Sequence, residues 1–458
     1  MYKIDFKKPE HVHFIGIGGI SMSGLAEILL KENFTITGSD SKPSNLTAHL
    51  ESMGAKIFYP QKADNVINGI DVVDYTAAIH EDNPEYMEVV RQGIPMLSRA
   101  ELLGQLMNNY ETPIAVSGTH GKTTTTSMLS HILLEAETDP TISVGGILNA
   151  IGGNIRVGDS GVFVTEACEY TNSFHSFFPK ISIILNVEED HMDFFKDIHE
   201  IRASFHKFAT LLPEDGALVI NKNIECMETI TDGLSCKVIT YSECQDADYT
   251  AANISYNELG NASFDLIRYG ENVGRIQLSV AGDHNVSNAL STLAVADLMG
   301  ISLDVAQKGI ASFTGTVRRF EYKGERNGFT IIDDYAHHPT EIKATLTSAQ
   351  NYPHKDIWCI FQPHTYTRTK AFFHEFAEAL ALADHVILAD IYAARETDTL
   401  GMSSEALAEE IKKLGADAYY LPSFEAIENF VLEKVIHGDV LITMGAGDVV
   451  NIGESLLK

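Results

Sequence analysis

Basic residues are scarce in this chain: 33 Lys and Arg stand against 63 Asp and Glu, a formal net charge of −30. Such a surface repels nucleic acid and anionic lipid, so neither is expected as a partner. Any anionic substrate must be held by local cations and helix N-termini instead. Cysteine is scarce as well. Cys168, Cys226, Cys236, Cys244 and Cys359 show no CxxC spacing. An odd, scattered set argues against a disulfide framework and a zinc site, and for reduced thiols in the cytoplasm. No apolar run is long enough to cross a bilayer, so membrane insertion is not expected. The run over residues 11–17 is short and ends in glycines, unlike the apolar segment of a signal peptide.

What is present suffices for two to four domains, since 45% of the 458 residues are apolar. The chain is organised around Ile114-Ala115-Val116-Ser117-Gly118-Thr119-His120-Gly121-Lys122-Thr123-Thr124, followed by a helix-like stretch over 127–135. An apolar strand, a glycine turn and a helix start form a phosphate cradle, because loop N–H groups and the positive helix end face the anion. In that pattern Lys122 reaches the outer phosphates and the Thr123 hydroxyl ligates Mg²⁺. The strict motif has glycine five residues before Gly121. Val116 stands there and Gly118 appears instead, so the loop is a shortened variant. An ordinary Gly/Thr turn is the plain alternative.

Upstream, a buried strand over 12–15 leads into Gly16-Ile17-Gly18-Gly19-Ile20-Ser21 and an apolar helix over 22–30. This resembles a dinucleotide fingerprint with Ser21 at the third-glycine position. A second strand over 34–39 ends at Asp40, placed either to bind a ribose or to close a turn. Further strands are expected at 56–58, 71–76 and 95–97, and their alternation with helices predicts a parallel sheet. The signal is a diphosphate-linked nucleoside at a helix N-terminus. It does not specify NAD.

In the middle third, a strand over 160–165 ends in Glu166-Ala167-Cys168-Glu169-Tyr170. Another over 181–185 ends in Asn186-Val187-Glu188-Glu189-Asp190-His191-Met192-Asp193. Ligands of open α/β sheets lie beyond the carboxyl ends of strands, so Thr123, Glu166 and His191 are expected to meet around metal ions. Glu188, Glu189 and Asp193 fit equally as helix caps. Residues 217–281 change to alternating patterns that suggest antiparallel strands. His284, Asn285 and Asn288 then open a helix over 289–299, as a capped start or as amides facing an adenine edge. After a hinge at 314–316, a new parallel-sheet pattern begins. Strands over 329–332, 358–361, 386–389 and 440–443 each empty into a polar loop. Adjacent His337 and His338 cannot both point inward on regular structure.

Taken in order, these motifs resemble the Mur ligases: His13-Phe-Ile-Gly-Ile-Gly-Gly-Ile, Gly118-Thr-His-Gly-Lys-Thr-Thr, Glu166-Ala-Cys-Glu-Tyr, Glu189-Asp-His-Met-Asp, His284-Asn-Val-Ser-Asn, Arg318-Arg-Phe-Glu, Asp334-Tyr-Ala-His-His-Pro-Thr-Glu and Gln362-Pro-His-Thr-Tyr-Thr-Arg-Thr. They cover nearly the whole chain. The resemblance implies an α/β protein of three domains. Residues 1–108 form a Rossmann-like parallel sheet that binds the UDP sugar through Gly16, Ile17, Gly18, Gly19, Ile20, Asp40 and Thr76. Residues 109–315 form a P-loop ATPase-like domain with an antiparallel β portion, which binds ATP and Mg²⁺. Residues 316–458 form a Rossmann-like domain that closes over ATP and the amino acid.

The same resemblance assigns ATP to Gly118, Thr119, His120, Gly121, Lys122, Thr123, Thr124, His284, Asn285, Asn288, Arg319 and Asp334. It assigns two Mg²⁺ ions, with Mn²⁺ as a substitute, to Thr123, Glu166 and His191. The acceptor and amino acid fall to Tyr335, His338 and Arg368, and the reacting groups to Lys122, His191, His338 and Arg368. The implied reaction joins L-alanine to the lactyl carboxylate of UDP-N-acetylmuramate at the expense of ATP, by way of an acyl phosphate, in peptidoglycan precursor synthesis. A related ligase loading a tripeptide or another amino acid is the alternative. The enzyme is expected in the cytoplasm as a monomer or homodimer. Two departures stand out. Many relatives read Glu-Ala-Asp-Glu-Ser-Asp at 166–171, and many have arginine where this chain has Thr365. A nicotinamide dehydrogenase would leave the Gly-Lys-Thr loop unexplained, and a non-catalytic ATP-driven switch would form no amide.

Overall fold

The computed structural model describes residues 2–458 apart from Ala77, Asp193, Arg395 and Thr399. Asp193, a candidate cap, therefore lies outside the described residues. The chain divides into two compact units. One runs to Thr250 and takes in Arg268–Gly270 and Asn288–Gly309; the other comprises Ala251–Ile267, Glu271–Ser287 and Ile310–Lys458.

The first sheet contains β1 (His11–Ile15), β2 (Thr35–Ser39), β3 (Lys56–Phe58), β4 (Val72–Tyr75) and β5 (Met96–Ser98) in the order β3-β2-β1-β4-β5. All its pairings are parallel. Helices α1 (Ile20–Lys31), α2 (Asn45–Ser52), α3 (Pro84–Gln92) and α4 (Arg99–Met107) connect the strands. The sequence writes their boundaries. Ser44 and Ser98 close capping boxes on α2 and α4, Asn83 caps α3 ahead of Pro84, and Gly93 ends α3 in a left-handed turn.

The central sheet begins with β6 (Thr112–Ser117), α5 (Lys122–Glu135), β7 (Thr141–Leu148), β8 (Gly153–Arg156), β9 (Val162–Ala167) and β10 (Ile181–Ile184). It continues through α6 (Ile198–Ala209), β11 (Ala217–Asn221), α7 (Glu228–Thr231), β12 (Lys237–Ser242), β13 (Tyr249–Tyr256), β14 (Asn261–Arg268) and β15 (Glu271–Ala281). The order is β15-β14-β13-β12-β11-β10-β6-β9-β7-β8. The pair β7 and β8 is antiparallel. Contrary to the expectation that antiparallel character starts at residue 217, β11 pairs in parallel with both β10 and β12. Helix α6 supplies the crossover that a parallel pairing needs.

Helices α8 (His284–Leu298) and α9 (Leu303–Ser312) precede the third sheet. This contains β16 (Glu321–Arg326), β17 (Phe329–Asp334), β18 (Ile357–Phe361), β19 (His385–Leu388), β20 (Asp417–Tyr420) and β21 (Val440–Met444) in the order β16-β17-β21-β18-β19-β20. Only β16 pairs antiparallel, so the sheet is mixed. Successive side chains of a strand point to opposite faces. Ile332, Cys359 and Phe361 enter one core, while Ile331, Trp358 and Ile360 enter another. Both faces are thus covered, which explains the continuous apolar runs in the sequence.

In the first unit, α4 lies against the short helix Tyr170–Ser176. A Cβ at Gly104 would stand 1.9 Å from the Ser176 carbonyl oxygen. Alanine is worth about 0.5–1 kcal/mol more than glycine inside a helix. Overpacking against backbone costs about 1–3 kcal/mol and outweighs that gain. Gly104→Ala is therefore expected to lower the urea unfolding free energy by about 1–2 kcal/mol.

Candidate functional site

Strand register decides which residues meet in the first unit. Val116 is level with Glu166, and Ser117 is level with Ala167 on one side and Ile184 on the other. The carboxyl ends of β6, β9 and β10 thus lie side by side. They deliver the phosphate loop, the Glu166–Tyr170 segment and the stretch from Asn186 to His191 to one sheet edge.

The loop is built for close backbone approach. Gly118 and Gly121 have φ of +146° and +84°, where only glycine is unstrained. A Cβ at Gly118 would stand 2.9 Å from the Cβ of Leu185. Asn186 holds the loop from β10: its Oδ1 accepts the His120 N–H at 2.7 Å, and its amide donates to His120 O at 3.1 Å. Thr119 Oγ1 accepts the Glu188 N–H at 3.0 Å. Helix α5 begins at Lys122 with no side-chain cap, and Thr123 and Thr124 in its first turn are half-buried. Asn288 also belongs here, its Oδ1 lying 3.1 Å from where a Cβ on Gly121 would stand.

Lys122 Nζ donates to Glu169 Oε2 at 2.9 Å, to Thr119 O at 3.0 Å and to Gly118 O. Burial works against its charge, but Glu169, Cys168 and Glu166 together outweigh that and raise its pKa. Glu166 accepts the Gly145 N–H from β7. His191 stands in the left-handed region at φ +54°. Its Nε2 lies 3.6 Å from Glu169 and 3.7 Å from Asp190, and its ring stacks on Tyr170 at 4.4 Å between centroids.

The glycine loop of the first sheet has its own logic. The N–H groups of Gly16 and Ile17 donate to Ser39 O at 2.9 and 3.0 Å. Gly18 N donates to Asp40 Oδ2 at 2.8 Å, so Asp40, just beyond β2, closes the turn between β1 and α1 in this structure. Thr76 packs under Gly16, 2.6 Å from where a Cβ would stand. Helix α1 starts after Gly19 without a side-chain cap, and Ile20 is exposed beside it.

In the second unit, the end of β17 gathers a cationic and aromatic group. Arg318 and Arg319 lie over the Tyr335 ring at 4.9 and 5.4 Å. Arg318 is bound into the fold through Asp333, Gly445 O and Gly447 O. Arg319 reaches Glu341 at 3.8 Å. Asp334 accepts the N–H groups of Phe320 and Ala336, both at 2.7 Å. His337 faces the His364 ring at 5.9 Å, and burial together with Arg368 helps keep both imidazoles neutral, His364 being pushed down to about 4. His338 instead caps α10 (Pro339–Gln350) and packs on Phe372 at 4.7 Å. His284 is exposed at the start of α8, its pKa lowered by desolvation and by Arg319 against the opposing pull of Asp283. Asn285 donates to Ala281 O at 2.6 Å. Arg368 lies in α11 (Tyr366–Ala371), which Thr365 caps from φ +65°.

Reading the sequence for roles overlooks Glu169, Asn186, Glu341 and His364, and it leaves His337 open between a polar and a packed role. Glu169, Glu341 and His364 lie inside the family motifs, and the position of Asn186 at the end of β10 was the available signal.

A phosphate-type loop at the carboxyl edge of a parallel sheet, flanked by acids and a histidine, defines an α/β protein built to handle a nucleotide phosphate. Three family models match in order: "Mur ligase family, catalytic domain" over residues 11–111, "Mur ligase middle domain" over 116–296 and "Mur ligase, glutamate ligase domain" over 318–447. The chain belongs to the Mur ligase family. It is 59% identical to the UDP-N-acetylmuramate–L-alanine ligase of Agathobacter rectalis, with all of both chains covered. The same enzyme of Thermotoga maritima, at 29% identity, has a solved structure that matches with a TM-score of 0.81 over 98% of each chain. A murein peptide ligase from Psychrobacter arcticus matches at 26% identity and TM-score 0.70, again over 98% of each chain.

Asp334 generates a pH prediction. Burial raises its pKa from 3.8 to about 6 against the opposing pull of Arg319. The folded chain therefore holds this proton to higher pH than the unfolded chain. The associated stability is complete below about pH 4 and is lost as pH rises through about 6. Relative to Asp334→Asn, the wild type should lose up to about 3 kcal/mol between those values. Urea melts of both proteins at pH 3.5 and 7 measure the difference.

Proposed function

We propose that the chain is an ATP-dependent ligase that joins L-alanine to the lactyl carboxylate of UDP-N-acetylmuramate in peptidoglycan precursor synthesis. The observation that carries this is end-to-end identity of 59% to a ligase of that name. The phosphate loop at the sheet edge supplies the matching chemistry. The lactyl carboxylate attacks the γ-phosphate of ATP, giving an acyl phosphate and ADP. The alanine amine attacks the acyl carbon, and phosphate leaves. The first step brings two anions together, so positioning and charge neutralisation dominate.

In this reading the loop N–H groups from Gly118 to Thr124, the uncapped start of α5 and Lys122 hold the ATP phosphates. Asn288, beside Gly121, serves the adenine side with His284 and Asn285, and Arg319 and Asp334 complete the ATP contacts. The glycine turn from Gly16 to Ile20, with Thr76 beneath Gly16, takes the UDP diphosphate, and Asp40 serves the ribose of the same sugar nucleotide. Tyr335 and Arg368 bind the amino acid, with neutral His337 and His364 beside them, while His338 fixes the start of α10. The domain limits 1–108, 109–315 and 316–458 go with these roles, and the ranges matched by the three family models support them.

The donors fit Mg²⁺. Among the described residues no group of three His, Cys, Asp or Glu converges to hold an ion unaided. Thr123 and Glu166 offer oxygen ligands, which leaves positions for water and phosphate oxygens, as Mg²⁺ prefers. His191 would serve a second ion, for which Mn²⁺ is also suited. Such ions neutralise phosphate charge when bound.

Incubated with ATP, Mg²⁺, UDP-N-acetylmuramate and L-alanine, the protein should yield ADP, phosphate and a UDP-muramoyl-alanine detectable by mass spectrometry. AMP, or an unmodified sugar nucleotide after ATP is consumed, would sink this reading. Use of a tripeptide with alanine spared would point to the peptide-loading relative. Lys122→Ala should fold normally and lose on the order of 10²–10³ in rate. Near-normal turnover in that variant would remove Lys122 from the phosphate site.

A further inference from the structure

The conformation of Lys122 poses a problem for the loop it serves. An ammonium has three N–H donors. Glu169 Oε2, Thr119 O and Gly118 O take all three within the protein. Among the described residues the carboxylate is the one charged partner, and it is buried at 2% exposure. A phosphate bound to the same ammonium would therefore face the Glu169 carboxylate across it. Two anions at that separation, shielded from water, repel strongly.

Glu169 has somewhere else to go. Its Oε1 has no hydrogen-bond partner among the described residues. That oxygen lies 3.6 Å from His191 Nε2, just beyond hydrogen-bonding reach. The imidazole is held as a fixed receiver by the stack on Tyr170 and by the bond from the His191 backbone N–H to Asp190 Oδ1 at 2.7 Å.

We propose that Glu169 is a positioning residue that competes with the nucleotide for Lys122, holding the ammonium in the loop until a phosphate takes it and then closing on His191. The inference rests on the reading that Lys122 binds ATP phosphates. It predicts an unusual sign: removing this acid from the site should tighten nucleotide binding while slowing the reaction, because Lys122 and His191 lose their common guide.

Calorimetric titration with ADP, without divalent metal, separates the possibilities. Glu169→Gln keeps the shape and removes the charge, and should bind ADP at least about fivefold more tightly than the wild type. Its kcat in the ligation assay should fall at least about tenfold with the KM for alanine unchanged. Glu169→Asp keeps the charge but draws it back from Nζ, and should tighten ADP binding by a smaller factor. It carries the test if the glutamine variant does not fold. ADP affinity equal to or weaker than wild type in the folded variant would overturn the proposal. A wild type that binds no nucleotide would instead remove the ATP reading on which the proposal rests.

Discussion

Parallel pairing of β6 between β9 and β10 is the constraint on which the site depends. A parallel sheet places all its carboxyl ends on one edge. With the register fixed, Ser117, Ala167 and Ile184 are neighbours, and the segments leaving these three strand ends must share a small volume. Those segments are the glycine loop, the Glu166–Tyr170 stretch and the Asn186–His191 stretch. The first and third hold backbone conformations that a regular element would not tolerate, and the second runs directly into two more. Gly118 and Gly121 have positive φ, as do Thr171 and Asn172 just after Tyr170, and His191. Such strain persists where surrounding structure over-determines it. Here buried strands provide that surrounding structure, with Ile114, Val116, Val164, Ile183 and Ile184 fully enclosed.

Much of this was legible in the sequence. Apolar runs bounded by glycine and polar residues located the strands that end at the site, because a parallel sheet covered on both faces needs continuous apolar segments, while β7, β8, β16 and β20 were not read. The glycine loop, its lysine and the acid at the end of β9 were readable because their chemistry is local in sequence. The limits of legibility are equally physical. Patterning distinguishes a strand from a helix but does not set the direction of pairing, so β11 and β12 were expected in an antiparallel segment and extend the parallel sheet instead. Which of two adjacent histidines faces a cluster depends on the helix that comes next. Pro339 starts α10, so His338 becomes its cap and His337 turns toward His364. The partners of Lys122 come from a residue 47 positions away and from the loop carbonyls, a convergence that spacing cannot disclose.

The acidic composition adds a further requirement. In a chain of net charge −30, a cation meant for a phosphate is surrounded by competing carboxylates. The structure resolves this by assigning partners. Lys122 is paired with Glu169, Arg319 with Glu341, and Arg318 with Asp333. These pairs differ in kind. Arg318 also donates to two backbone carbonyls, so its side chain is fixed as part of the fold. Arg319 reaches its acid at 3.8 Å, a distance at which attraction persists without a hydrogen bond. Lys122 has the same number of partners as Arg318, one carboxylate and two carbonyls, but it meets them with a single rotatable ammonium and not a rigid guanidinium fork, so it is the freer of the two to turn.

That gradation bears on how an acidic protein recognises an anion. A cation left unpaired in a half-buried site would be drawn into non-productive contacts by the surplus of acids. A cation fixed as firmly as Arg318 could not turn to a substrate. A pair with one carboxylate keeps the cation charged and placed, and the exchange of that carboxylate for a phosphate conserves one charge-assisted hydrogen bond. The neutral state of His337 and His364 obeys the same logic. Burial and the charge of Arg368 leave the two imidazoles as uncharged neighbours. On the proposed reading, binding an anion in this chain is an exchange of one partner for another at cations already in place, with backbone N–H groups supplying the rest of the attraction.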